Sequence, residues 1–118
     1  MRQIFDDRRQ EPRFTTSGTA SFMFADRHYC SAILDLSLNG LKVSRPEAWA
    51  IDAGNRFKVD LDIPGADGFT AEVALVHADQ GELGLEFHDM PLKDFTVLAT
   101  LIEHYARVRR LNGGTTPA

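Results

Sequence analysis

Between Gly18 and His88 apolar and polar residues alternate in short runs broken by Gly, Asn, Asp and Pro, the pattern of strands with one face in a core and the other in water. The clearest run sets Phe57, Val59, Leu61 and Ile63 against Lys58, Asp60 and Asp62. Phe69, Ala71, Val73 and Leu75 repeat that period, as do Leu83, Leu85 and Phe87, and a turn at Asp79, Gln80 and Gly81 makes these two runs a hairpin. Upstream, Ala20, Phe22 and Phe24 predict another strand, while Tyr29 to Leu36 and Leu38 to Val43 predict two more, joined through Asn39 and Gly40. Six short antiparallel strands in so few residues predict a mostly-β chain closed into a barrel, which also removes exposed sheet edges.

After His88 the period lengthens. Phe95, Leu98, Leu101, Ile102, Tyr105 and Val108 recur every three or four residues, with Lys93, Asp94, Glu103, Arg107 and Arg110 between them, which predicts one amphipathic helix packed on the barrel. Pro91 suits its first turn, and Asn112, Gly113 and Gly114 suit its end. The expected organisation is a single domain over 1–118: a flexible arginine-bearing arm at 1–16, the barrel at 17–90, the helix at 91–112 and a disordered tail at 113–118.

Composition narrows the possible roles. A chain of 118 residues holds one core and not two, and 43% hydrophobic with 25% charged residues is globular and self-folding. Cys30 is alone and closes no internal disulfide; there is neither a signal-peptide run nor the roughly 18 uninterrupted apolar residues of a membrane helix. A cytoplasmic protein without membrane insertion is expected. The net charge of −4 repels long polyanions, so neither DNA nor RNA is an expected partner. The first fourteen residues run the other way, with Arg2, Arg8, Arg9 and Arg13 against Asp6, Asp7 and Glu11, and a small anion is the ligand such a segment suits.

Two polar constellations stand out: Arg8-Arg9-Gln10-Glu11-Pro12-Arg13 in the arm and Asp35-Leu36-Ser37-Leu38-Asn39-Gly40 at a strand end. Taken singly, the first reads as a solvated linker whose charges pair among themselves, and the second as an Asn-Gly turn with polar flanks. Taken together and in this order, they resemble the PilZ family of cyclic di-GMP receptors, whose RxxxR motif is matched by Arg9 to Arg13 with Arg8 preceding it. The family's [D/N]xSxxG motif is completed by Asp35, Ser37 and Gly40. Gly84-Leu85-Glu86-Phe87 resembles the family's closing strand, and the likeness runs from about Asp6 to Leu111.

The resemblance implies a six-stranded antiparallel PilZ-type β-barrel with a C-terminal α-helix packed on it, and a non-catalytic receptor. It implies that Arg8, Arg9 and Arg13 take phosphates and guanine edges while Asp35, Ser37 and Gly40 take the opposite guanine. Chemistry agrees with these residue types. A guanidinium fork bonds phosphate oxygens or the guanine O6 and N7 pair, as lysine does not. A carboxylate accepts from guanine N1 and N2, a strand spacing of two puts Asp35 and Ser37 on one face, and a glycine allows close approach. The resemblance further implies no cofactor and no metal beyond the nucleotide ligand, and a monomer whose arm rearranges on binding and signals to an unidentified protein effector. The competing expectation is a PilZ-fold adaptor that binds no nucleotide.

His77, at a strand end, is expected as a secondary ligand contact beside the guanine or as a half-exposed structural histidine. His28 and Cys30 share a strand face but lack further zinc ligands, and no nucleophile elbow or phosphate loop supports catalysis. Arg107, Arg109 and Arg110 are expected to complement the helix dipole, and Trp49 to cap an open barrel end.

Overall fold

The computed structural model describes residues 12–47, 49 and 51–114, with side chains through Leu111. In chain order the elements are β1 (Phe14–Thr15), β2 (Thr19–Phe24), β3 (Arg27–Leu36), β4 (Gly40–Ser44), β5 (Arg56–Asp62), β6 (Phe69–Ala78), β7 (Glu82–Asp89) and α1 (Leu92–Gly114). All pairings are antiparallel in the order β1-β3-β2-β5-β6-β7-β4, and β4 returns to β3. Six strands thus close a barrel, as the alternation predicts.

The seventh strand, β1, lies where the sequence suggested a continuous arm. It takes the same edge of β3 as β2 does, pairing Phe14 with Leu36 and Thr15 with Asp35, where β2 pairs Thr19 with Ala32. Gly18 makes the joint: its carbonyl accepts from the Ile33 amide at 3.0 Å, its φ is +136°, and a Cβ there would strike the Asp62 carbonyl oxygen. Residues 13–16 are therefore pinned to the barrel rather than forming the end of a free arm; two residues of strand were too short to show as alternation.

Inward-facing positions follow the predicted period. Phe57, Val59, Leu61 and Ile63 are buried, as are Phe69, Ala71, Val73 and Leu75. At one end Phe22 stacks on Phe57 at 4.9 Å and on Tyr29 at 5.4 Å, and Trp49 meets Phe22 and Tyr29 edge-on. Trp49 is only 8% exposed and plugs the core at that end. The β2–β3 hairpin turns on Ala25 and Asp26, with φ of 52° and 66°. Those signs belong to a two-residue turn matched to strand twist, built here without the usual glycine.

Helix α1 packs Leu98, Leu101 and Ile102 into the core. Phe95 and Val108, expected on that face, are 44% and 39% exposed. Asp94, expected in solvent, is instead 9% exposed, and its Oδ2 accepts from the Thr70 amide at 3.3 Å, tying the first turn to β6. The helix continues to Gly114, past the expected stop at 112.

Candidate functional site: a groove over β4, β6 and β7

The Leu36–Gly40 turn is built by one hydroxyl. Ser37 Oγ accepts from the amides of Asn39 and Gly40 at 3.1 and 3.2 Å, and the Ser37 amide donates to the Gly40 carbonyl at 2.9 Å. Ser37 is fully buried, so its hydroxyl shapes the turn and does not face solvent. Asp35 lies near the end of β3, partly buried, and Ser37 one residue past the strand's end at Leu36. Gly40 has its own reason: a Cβ there would collide with the Leu85 carbonyl oxygen and lie 3.1 Å from Glu86 Cα. Its requirement is the close approach of β4 to β7.

Arg13 joins this turn to the amino-terminal segment. Extending the β1–β3 register by one step brings Arg13 level with Ser37. Its Nε and Nη2 donate to Asp35 Oδ1 at 2.9 and 2.6 Å, and Nη1 donates to Ser37 Oγ at 3.3 Å. Both donors land on one carboxylate oxygen; among the described residues no donor reaches Oδ2. Arg8 and Arg9 lie outside the described residues.

A row of outward positions runs from Asp35 across three more strands. Asp35 pairs with Lys42 on β4, Lys42 with Gly84 on β7, and Gly84 with His77 on β6. Two register shifts create it, one between Ile33 and Asp35 and one between Leu75 and His77. In a regular ladder those steps would put Asp35 beside buried Leu41 and His77 beside buried Leu83; the bulges turn Asp35 and His77 outward and leave Leu34 and Val76 exposed. Gly84 contributes no side chain, so the row dips between Lys42 and His77.

Over this dip lies an open groove of about 710 Å³, lined by Arg13, Gly40, Lys42, His77, Gly84 and Glu86 among others, a size in the range of small-molecule sites. Lys42 Nζ is 3.5 Å from Glu82, and His77 Nε2 is 3.2 Å from Asp79 Oδ2. Asp79 Oδ1 accepts from the amides of Gly81 and Glu82 at 2.9 Å each, which holds its carboxyl below the ordinary aspartate range. The charged Arg13, Lys42, Glu82 and Glu86 and the His77 ring thus line the groove together with the apolar Leu41, Val76 and Leu85.

Of the sequence-predicted residues, Arg13, Asp35, Ser37 and Gly40 come together at one end of the groove, and His77 lines it. Lys42, Gly84 and Glu86 were not singled out as site residues, although Gly84 and Glu86 fall in the Gly84–Phe87 segment that carried the resemblance. A Gly in an alternating strand was the available signal, since it marks a close approach. Among the described residues no helix is long and apolar enough to cross a membrane.

Comparison with known proteins matches the PilZ domain over residues 7–104. No curated protein matches the chain. Solved structures share the fold. The PilZ domain of YcgR from Escherichia coli, determined with c-di-GMP, superposes with a TM-score of 0.74 at 17% identity, covering 92% of this chain and 99% of that one. The Bacillus subtilis inhibitor of motility MotI/DgrA gives 0.72 at 16% identity over 89% of this chain and 52% of its own. The K. pneumonia MrkH complex with c-di-GMP gives 0.73 at 13% identity over 93% and 55%. A closed barrel with its appended helix, a pattern match over most of the length and the intact RxxxR and DxSxxG residues lead to one conclusion: this chain belongs to the PilZ domain family.

Proposed function

We propose that the protein is a non-catalytic receptor for cyclic di-GMP, bound in the groove over β4, β6 and β7 and signalled onward to a protein effector. The observation that carries this reading is the convergence of the Arg13 guanidinium and the Asp35 carboxylate at the mouth of a groove floored by Gly84. Family membership and neighbours whose structures contain c-di-GMP support it.

Each group has a task that fits its chemistry. Asp35 accepts from the N1 and N2 donors of one guanine. Arg13, with Arg8 and Arg9 from the segment before it, supplies forks for phosphate oxygens and the O6 and N7 edge. Ser37 and Gly40 act by shape, holding the turn against β7, and His77 gives a flat ring beside the Gly84 dip on which a base stacks. Micromolar affinity needs about −8 kcal/mol, and charge-assisted hydrogen bonds contribute roughly 1.5 to 3 kcal/mol each, so a few must act at once. Rearrangement of the segment bearing Arg8 and Arg9 is the change an effector reads. Acidic net charge and the compact groove favour a small dianion over a polymer.

Calorimetry with cyclic di-GMP, cyclic di-AMP and GTP on wild type, Arg9→Ala and Asp35→Ala tests the assignment. Heat from cyclic di-GMP alone, with each substitution weakening it at least about tenfold, is the expected result. Equal heats from all three nucleotides, or indifference to both substitutions, overturns it and leaves the adaptor reading.

A further inference from the structure

Arg109 does not do what its place near the end of a helix suggests. Instead of turning to the last carbonyls of α1, its Nη2 donates to the main-chain carbonyl of Arg13 at 2.7 Å, 96 residues away. Its guanidinium carbon sits 4.1 Å from the centroid of the Phe14 ring, a cation–π geometry. One helical turn earlier, Tyr105 faces the same way: its ring is 5.9 Å from Phe14, and its hydroxyl hydrogen-bonds Thr16 Oγ1. Three of the four residues from Arg13 to Thr16 are therefore held by one face of α1.

This grip matters because β1 is only two residues long and has two register pairs with β3. So short a ladder is marginal by itself. Arg13 is caught between two holds: its side chain on Asp35 and its carbonyl on Arg109. Loss of the second lets the backbone behind the guanidinium drift while the barrel, whose core does not include Arg109, stays closed.

We propose that Arg109 is a positioning residue for the nucleotide site, acting through the Arg13 main chain and the Phe14 ring; the proposal rests on the cyclic di-GMP reading above. Linkage makes the effect reciprocal: a ligand that fixes Arg13 also fixes the last turns of α1. The exposed side chains there, Arg107, Val108 and Leu111, become a surface whose order reports occupancy.

The full-length chain carries the test, with Arg109→Ala, Arg109→Lys and Asp35→Ala compared by calorimetry with cyclic di-GMP, urea unfolding and amide hydrogen exchange. Arg109→Ala is expected to bind about tenfold more weakly with the urea midpoint unmoved, and Arg109→Lys, which keeps the charge over Phe14, to fall between. Nucleotide is expected to slow exchange over residues 103–111 in wild type and not in Arg109→Ala. Wild-type affinity in Arg109→Ala, or a midpoint that falls in step with binding, overturns the proposal. If wild type and Asp35→Ala alike give no heat, the receptor reading has failed separately, and the nucleotide-free protein decides this one. There Arg109→Ala must speed exchange of the Phe14 and Thr15 amides relative to wild type, and an unchanged rate refutes the latch.

Discussion

Arg13 Nη2 stands 2.6 Å from Asp35 Oδ1. One arginine of the RxxxR motif is thus docked on the barrel, held there by β1 and the helix behind it. A contact residue held in place lowers the entropic cost of binding. The ion pair itself adds little to stability, because both side chains keep solvent contact, at 38% and 22% exposure.

Arg13→Lys separates these two contributions. Lysine keeps the charge and loses the fork. Cyclic di-GMP affinity is expected to fall about 10- to 100-fold by calorimetry, while urea unfolding changes by no more than about 0.5 kcal/mol. A variant that binds as wild type shows that charge alone suffices at this position.

Gly40→Ala attacks the barrel rather than the ligand. Its Cβ meets the Leu85 carbonyl, which is backbone and has no rotamer to change. Destabilisation of about 1 to 3 kcal/mol is expected, read as a lower urea midpoint. Ser37→Ala should cost a similar amount, roughly 1 to 3 kcal/mol, since it strips two turn amides of a buried acceptor.

The β2–β3 hairpin offers the opposite sign. Ala25 and Asp26 both sit at positive φ, where a Cβ costs roughly 1 to 2 kcal/mol. Replacing them with Asn and Gly, the favoured pair for this turn, is expected to raise stability by about 1 kcal/mol in thermal or urea unfolding. No gain would mean that the strand ladder, and not the turn, limits this hairpin.

Acid should loosen the β6–β7 turn late. The Gly81 and Glu82 amides bond the Asp79 carboxylate, so its folded pKa lies below the ordinary 3.8. The sign follows: the contribution is fully present above 3.8 and disappears as pH falls through the lower folded value. Amide shifts of Gly81 and Glu82 should titrate with a midpoint under 3.8 in wild type and lose that transition in Asp79→Asn. A midpoint at or above 3.8 refutes the bonding pattern.

Local pattern carried a large part of this protein. Period-two alternation determined six strands, their inward faces and the hairpin at Asp79 to Gly81, since burial of one face imposes itself on composition residue by residue. The lengthened period after His88 determined the helix, and motif chemistry brought Arg13, Asp35, Ser37 and Gly40 into one site. Tertiary structure alone decided the rest. Strand β1 exists because Tyr105 and Arg109, some ninety residues on, supply partners that two residues lack. The groove exists because bulges after Ile33 and Leu75 reverse the face on which Asp35 and His77 fall. Alternation assigns each residue a side only while the register holds, and a bulge changes the register through pairing with a distant strand, which no local window records.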